Sequence, residues 1–139
     1  MSVRMTVFLF LISSSVILAC AQRLMRKICP VCKDPVSYPA GMFRDLNIPP
    51  SYFEGISLFR GRGCERCNNT GYSGRTAIIE AMTVTDEIRK VIIARGSAME
   101  IGKIAMSQGM KTLRMAALDK VREGVTTLEQ TLVITAGGA

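Results

Sequence analysis

Two short stretches decide how this chain folds: Cys29-Pro30-Val31-Cys32 and Cys64-Glu65-Arg66-Cys67. Each is a C-x2-C pair, and 31 residues separate them. Two intervening residues let both sulfurs of a pair point into one site from a tight turn. Two such turns make a closed four-thiolate site, the usual structural zinc arrangement. The intervening segment is longer than in the compact pattern, yet an insertion can loop out between two knuckles. Two disulfides are the alternative, and an odd total of five cysteines fits them less well. Cys29, Cys32, Cys64 and Cys67 are therefore the candidate ligands of one Zn²⁺. Four thiolates leave no open position for water, so the metal's role is structural.

Working outward, Arg26, Lys27, Lys33, Arg60, Arg62 and Arg66 surround the pairs. A four-thiolate zinc site carries a formal charge of −2, and these cations offset it. The sharper reading of the basic patch is nucleic-acid binding by a zinc ribbon. That would call for interleaved stacking aromatics, and only Phe59 and Tyr72 lie near the second pair. No nucleic-acid partner is expected.

Upstream, Val16, Ile17, Ala19, Cys20, Leu24 and Ile28 recur at helical spacing. The spacing predicts one amphipathic helix over 13–28, capped by a serine among Ser13–Ser15 and ending at the first knuckle, with Cys20 a small core residue. Read alone, the basic start, the apolar run and Leu18-Ala19-Cys20 resemble an export signal with a lipoprotein box. Ser13-Ser14-Ser15 breaks that run.

Downstream, the prolines and glycines of 33–55 predict an irregular excursion with a short helix at 42–47. Strands are expected at 56–60 and 75–82. From residue 83 the period is helical. Helices are predicted over 86–95, from Ser97 to about Ser107, over 112–123 and from Thr126 to about Thr135. Capping boxes at Ser97–Glu100 and Thr126–Glu129 open two of them, Gly124 closes the third, and the four are expected to form one bundle. Met99, Met106, Met110 and Met115 read as core filler.

The chain has 139 residues, 48% apolar and 21% charged, with a formal net charge of +7. That is enough for one domain or two small lobes, and it excludes wholesale disorder. Ten basic and four acidic residues fall in 1–75; eight and seven fall in 76–139. The absence of histidine excludes His-based acid–base or triad chemistry. The sequence contains no phosphate-cradling G-x-x-x-x-G-K-[ST] motif and no G-x-G-x-x-G motif.

Several local patterns resemble one family. Ala21-Gln22-Arg23-Leu24 running into Arg26-Lys27-Ile28-Cys29-Pro30 and Cys32 is similar to the tetracysteine region of the type II secretion and type IV pilus assembly traffic ATPases. Gly61-Arg62-Gly63-Cys64, Cys67-Asn68, Thr70-Gly71-Tyr72 and Gly74-Arg75-Thr76 resemble its second knuckle and the strand that follows. Gly109-Met110-Lys111-Thr112-Leu113 and Glu123-Gly124-Val125-Thr126-Thr127 fit its C-terminal helices, and Glu87–Ile92 looks like a helix found in pilus-retraction relatives.

The resemblance implies a zinc-stapled C-terminal module of a hexameric motor. Its partners would be the other ring subunits, the upstream ATPase domain and the inner-membrane platform, at the cytoplasmic face of that membrane. ATP would be used only by the complete motor, because the Walker motifs are not in this sequence. On the helix at 86–95, the resemblance gives Ile88, Arg89 and Ile92 a role in coupling ring motion to the transported subunit. Arg89 is expected to be partly exposed, or paired with an acid such as Glu80 or Glu87, and its loss to change stability by well under about 1 kcal/mol.

The fold class expected is therefore α+β: an N-terminal helix, a four-cysteine zinc-knuckle lobe with short strands, and a C-terminal helical bundle. The expected divisions are an atypical segment 1–12, the helix and zinc lobe 13–82, a helical subdomain 83–135 and a frayed tail 136–139.

Overall fold

The computed structural model describes residues 3–135. The architecture is α+β: α1 (Val3–Ser15), β1 (Leu18–Ile28), β2 (Lys33–Val36), α2 (Ala40–Asp45), β3 (Leu58–Gly61), β4 (Tyr72–Thr83), α3 (Asp86–Ile93), α4 (Ala98–Ser107), α5 (Leu113–Arg122) and α6 (Leu128–Thr135), with 3-10 turns at Pro50–Phe53 and Glu65–Cys67. β1 pairs with β4. β2 and β3 pair antiparallel, with Lys33 opposite Gly61 and Val36 opposite Leu58.

The helix assigned to 13–28 by apolar spacing is not formed. Its first residues close α1 instead. The Ser13 and Ser14 hydroxyls donate to the Phe10 carbonyl at 3.0 and 2.8 Å, so the serines serve a helix end rather than a start. Residues 18–28 then extend as β1 against β4, which is rich in β-branched residues such as Thr76, Ile78 and Ile79. Cys20 is exposed, not a core residue. The buried positions of β1 are Met25 and Ile28, while Leu24 is exposed. The expected fraying of 136–139 lies outside the described residues.

The described residues form two compact units, one of residues 3–21 with 79–112 and the other of 22–78 with 113–135. In the first, Val84, Ile88 and Ala105 form a core joined by Val16, Ile92, Ile101 and Met110. Thr85 caps α3 by accepting from the Ile88 N–H at 3.4 Å, and Ser97 caps α4 by accepting from the Glu100 N–H at 3.1 Å. α1 is apolar and largely exposed; Ser13 is its one buried residue.

In the second unit, one core joins Leu46, Ile48, Phe53 and Leu58 of the excursion to Leu118, Val121 and Leu128 of α5 and α6. Another joins Met25 and Ile78 to Leu113, Ala117 and Ile134. The four C-terminal helices therefore distribute as two pairs, α3 with α4 and α5 with α6, one pair in each unit. Gly124, at φ +75°, ends α5 as expected. The cap of α6 is Thr127, which accepts from the Gln130 N–H at 3.3 Å, one residue later than the expected box. Met99, Met106 and Met115 are exposed; Met110 alone of that set packs on a core.

Candidate metal centre

The second knuckle is shaped by backbone that most residues avoid. Asn68 and Asn69 occupy the left-handed region, and Gly63 and Gly71 have φ of +95° and +80°. The 3-10 turn of Glu65–Cys67 folds the chain back so that the Cys64 and Cys67 sulfurs face inward together. The first knuckle follows β1 directly, and the pairing of β2 with β3 brings it beside the second. The Arg62 N–H donates to the Cys32 carbonyl at 3.1 Å, and the Cys29 N–H donates to the Gly71 carbonyl at 2.9 Å.

The two glycines where the knuckles meet are required by space. A Cβ on Gly61 would run into the Gly71 carbonyl oxygen, and one on Gly71 would lie 2.6 Å from that of Gly61. Only backbone without side chains passes at that distance.

The result is a convergence of Cys29, Cys32, Cys64 and Cys67, whose sulfurs all lie within 4.8 Å of one another. Cys29 to Cys64 is 3.8 Å, Cys32 to Cys67 is 3.8 Å, and Cys64 to Cys67 is 3.7 Å. Four thiolates placed tetrahedrally about 2.3 Å from one zinc have sulfur–sulfur separations of about 3.8 Å. The donor set and its spacing therefore fit a four-coordinate metal. All five cysteines are free, and Cys20 stands apart from the group.

The backbone prepares these sulfurs for an ion. Burial pushes the Cys67 thiol up, but N–H donors from Cys64 and Gly71, with the neighbouring thiols, outweigh it and bring it down to about 6. Those donors lie 3.3 and 3.2 Å from the sulfur. Cys29 is lowered mainly by the Cys32 backbone. Burial dominates at Cys32 and pushes it up to about 11.

Three of the six cations that the sequence places around the site are engaged elsewhere. Arg62 pairs with Asp34 at 2.7 Å, Arg26 stacks on the Tyr72 ring at 4.5 Å, and Lys33 donates to the Gly124 carbonyl at 2.6 Å. The peptide N–H groups, rather than these side chains, are the donors seen at the Cys67 sulfur.

On α3, Ile88 is fully buried and Ile92 partly so. Arg89 is partly exposed, at 27% of its side chain, and its acid is Asp86 at 3.6 Å. Glu87 instead accepts from Gln108 at 3.3 Å. Arg89 also donates to the carbonyls of Ser13 and Val16, a role that no local sequence pattern announces.

The family description "Type II/IV secretion system protein" matches residues 2–133. This chain belongs to that secretion family. It is 46% identical over 126 residues to the type IV pilus assembly ATPase PilB of Thermus thermophilus, a match covering 91% of this chain and 14% of that protein. It is 38% identical over 128 residues to the PilB of Myxococcus xanthus, covering 91% and 23%. It is 38% identical over 130 residues to the type II secretion system ATPase E of Vibrio cholerae, covering 91% and 24%. The chain thus spans a quarter or less of the length of these relatives. Among the described residues of this secretion-family chain, no helix is long and apolar enough to cross a membrane.

Proposed function

We propose that the chain is a zinc-stapled structural module of a secretion or pilus-assembly motor, corresponding to the C-terminal part of such an ATPase. The observation that carries this reading is the convergence of four sulfurs, three of whose separations match a tetrahedral site, inside a match to a family whose relatives are named as pilus assembly and secretion ATPases. Zn²⁺ would join Cys29 and Cys32 to Cys64 and Cys67, so that the 33–63 excursion is held at both ends. When bound, the metal supplies cross-linking energy to that lobe. The residues around it exclude water and orient the sulfurs.

In the complete motor the partners are the other subunits of a hexameric ring, the ATPase domain and the inner-membrane platform at the cytoplasmic face. ATP acts in that ATPase domain. The module receives or transmits the motion, with α3 and its Ile88, Arg89 and Ile92 as the coupling helix. Nucleic acid is not a partner in this reading.

The test is made in an intact pilus-assembly relative. Serine at the position matching Cys64 should reduce the zinc content and pilus assembly together. Alanine at the position matching Arg89 should reduce assembly while ATP hydrolysis and hexamer formation stay near normal. Unchanged assembly at normal protein levels in both variants would defeat the proposal.

A further inference from the structure

The turn Gly124–Thr127, between α5 and α6, is bonded at every residue to segments that flank the thiols. The Gly124 carbonyl accepts from Lys33 Nζ at 2.6 Å, and Lys33 directly follows Cys32. The Val125 carbonyl accepts from the Ile28 N–H at 2.9 Å, and Ile28 directly precedes Cys29. Thr126 Oγ1 donates to the Arg26 carbonyl at 2.7 Å. Thr127 Oγ1 shares a hydrogen bond of 2.7 Å with the Tyr72 hydroxyl. Tyr72 follows Gly71, whose N–H donates to the Cys67 sulfur at 3.2 Å and whose carbonyl accepts from the Cys29 N–H.

These bonds come from both halves of the thiol site. Arg26, Ile28 and Lys33 belong to the first knuckle, and Tyr72 to the second. The halves are far apart in sequence, and a metal fixes their spacing. With that spacing fixed, all four turn residues find their partners at once. Without it, only the β2–β3 pairing and the backbone bonds at Cys29 and Arg62 hold the halves together, and the partners of the turn are less firmly fixed. Thr126 and Thr127 are almost completely buried, at 1% exposure each, so a hydroxyl that loses its partner has no water to replace it. Lys33 adds a cation at the carbonyl end of α5, where it meets the helix dipole.

We propose that the Gly124–Thr127 turn couples metal loading of the four-thiol site to the order of α5 and α6, with Lys33, Tyr72 and Thr126 as positioning residues. This rests on the metal reading above and extends it: the site holds α5 and α6 as well as the 33–63 excursion. The coupling is reciprocal. Whatever loosens the turn weakens the metal, although none of these three side chains touches a sulfur.

The experiment uses the full chain loaded with zinc under reducing conditions. Zinc affinity is measured by competition with a chromophoric chelator, and amide hydrogen exchange is followed in loaded and stripped protein. The variants are Tyr72→Phe and Lys33→Met, singly and together; Tyr72→Phe leaves Thr127 able to cap α6. Each single variant is expected to keep a stoichiometry of one zinc and to lose roughly tenfold in affinity, the scale of losses from groups that orient metal ligands. Stripping zinc from the unaltered chain should speed exchange across 113–135 and leave 86–107 unchanged. In the double variant, exchange across 113–135 should no longer depend on zinc.

Zinc affinity within twofold of the unaltered chain in both single variants would overturn the coupling, as would equal exchange across 113–135 in loaded and stripped protein. A chain that binds no zinc at all overturns the metal reading itself and this inference with it.

Discussion

The Arg89 guanidinium donates to the backbone carbonyl of Ser13, joining the middle of α3 to the last turn of α1. The Val16 carbonyl is a second acceptor, at 3.4 Å. α1 has no basic residue in its own last turn, so Arg89 supplies the cation that the carbonyl end of that helix attracts. Arg89→Ala should therefore cost about 1–2 kcal/mol, the scale for hydrogen bonds to a charged donor. That exceeds what a merely exposed arginine implies, and the pair with the exposed Asp86 adds little. Urea unfolding measures the loss, and hydrogen exchange should localise it to residues 10–17. A stability change near zero with unchanged exchange there would show that the cap is idle.

Gly61 and Gly71 make a second prediction. Gly61→Ala drives a Cβ into the Gly71 backbone, and backbone cannot rotate away as a side chain can. The cost should be about 3 kcal/mol or more. Zinc content should fall with it, because Gly71 carries the N–H that meets the Cys67 sulfur. Gly41→Ala, where a Cβ meets nothing within 4 Å, is the matched control and should be nearly silent.

Cys64→Ser removes one of the four ligands. The unaltered protein should hold about one zinc per chain, as a closed thiolate site requires. The variant should hold far less and become open to protease within 33–63, while α3 and α4 keep their exchange protection. Zinc content is read by elemental analysis and cleavage sites by mass spectrometry. Retention of full zinc by the variant would remove Cys64 from the ligand set.

The metal-free, reduced protein should be stabilised by alkaline pH up to a limit. The folded value of Cys67, about 6, lies below the ordinary thiol value of 9.0, so its stabilisation is present above pH 9 and is lost as pH falls through 6. Cys32 has the opposite sign: its folded value of about 11 gives stabilisation that is present below pH 9 and lost as pH rises through 11. The thermal midpoint of chelator-treated protein should rise from pH 6 toward 9. Cys67→Ser should flatten that rise.

ATP should neither raise the melting temperature of this chain nor be hydrolysed by it, because the sequence offers no P-loop lysine to clamp the phosphates. Hydrolysis that survives extensive purification would contradict the prediction.

The four-thiol site is legible in the sequence because its signal is short-range: two residues between cysteines set the geometry wherever the pair lands. The caps at Ser97 and Gly124 are legible for the same reason. What is not legible depends on distant partners. Residues 18–28 carry apolar spacing that suits a helix, and pairing with β4 overrides it. Ser13 and Ser14 look like a helix start because a hydroxyl can serve either end, and only the carbonyl of Phe10 decides. Arg89 finds its acceptors more than seventy positions away, beyond any periodic rule. The methionines show the limit of composition: the same residue type is exposed at Met99 and packed at Met110.

The bond between Tyr72 and Thr127 gives the chain an optical probe of its own. The sequence has no tryptophan and three tyrosines, so ultraviolet emission comes from Tyr38, Tyr52 and Tyr72, all within the 22–78 segment of the second unit. Tyr38 donates to the Glu129 carboxylate at 2.7 Å, a contact that favours quenching, and Tyr72 lies against Arg26. Fluorescence therefore records events around the thiols and the α5–α6 turn without any label, and it is blind to α1, α3 and α4. A tryptophan introduced at Met99, which is 71% exposed on α4, would add a second colour for the first unit.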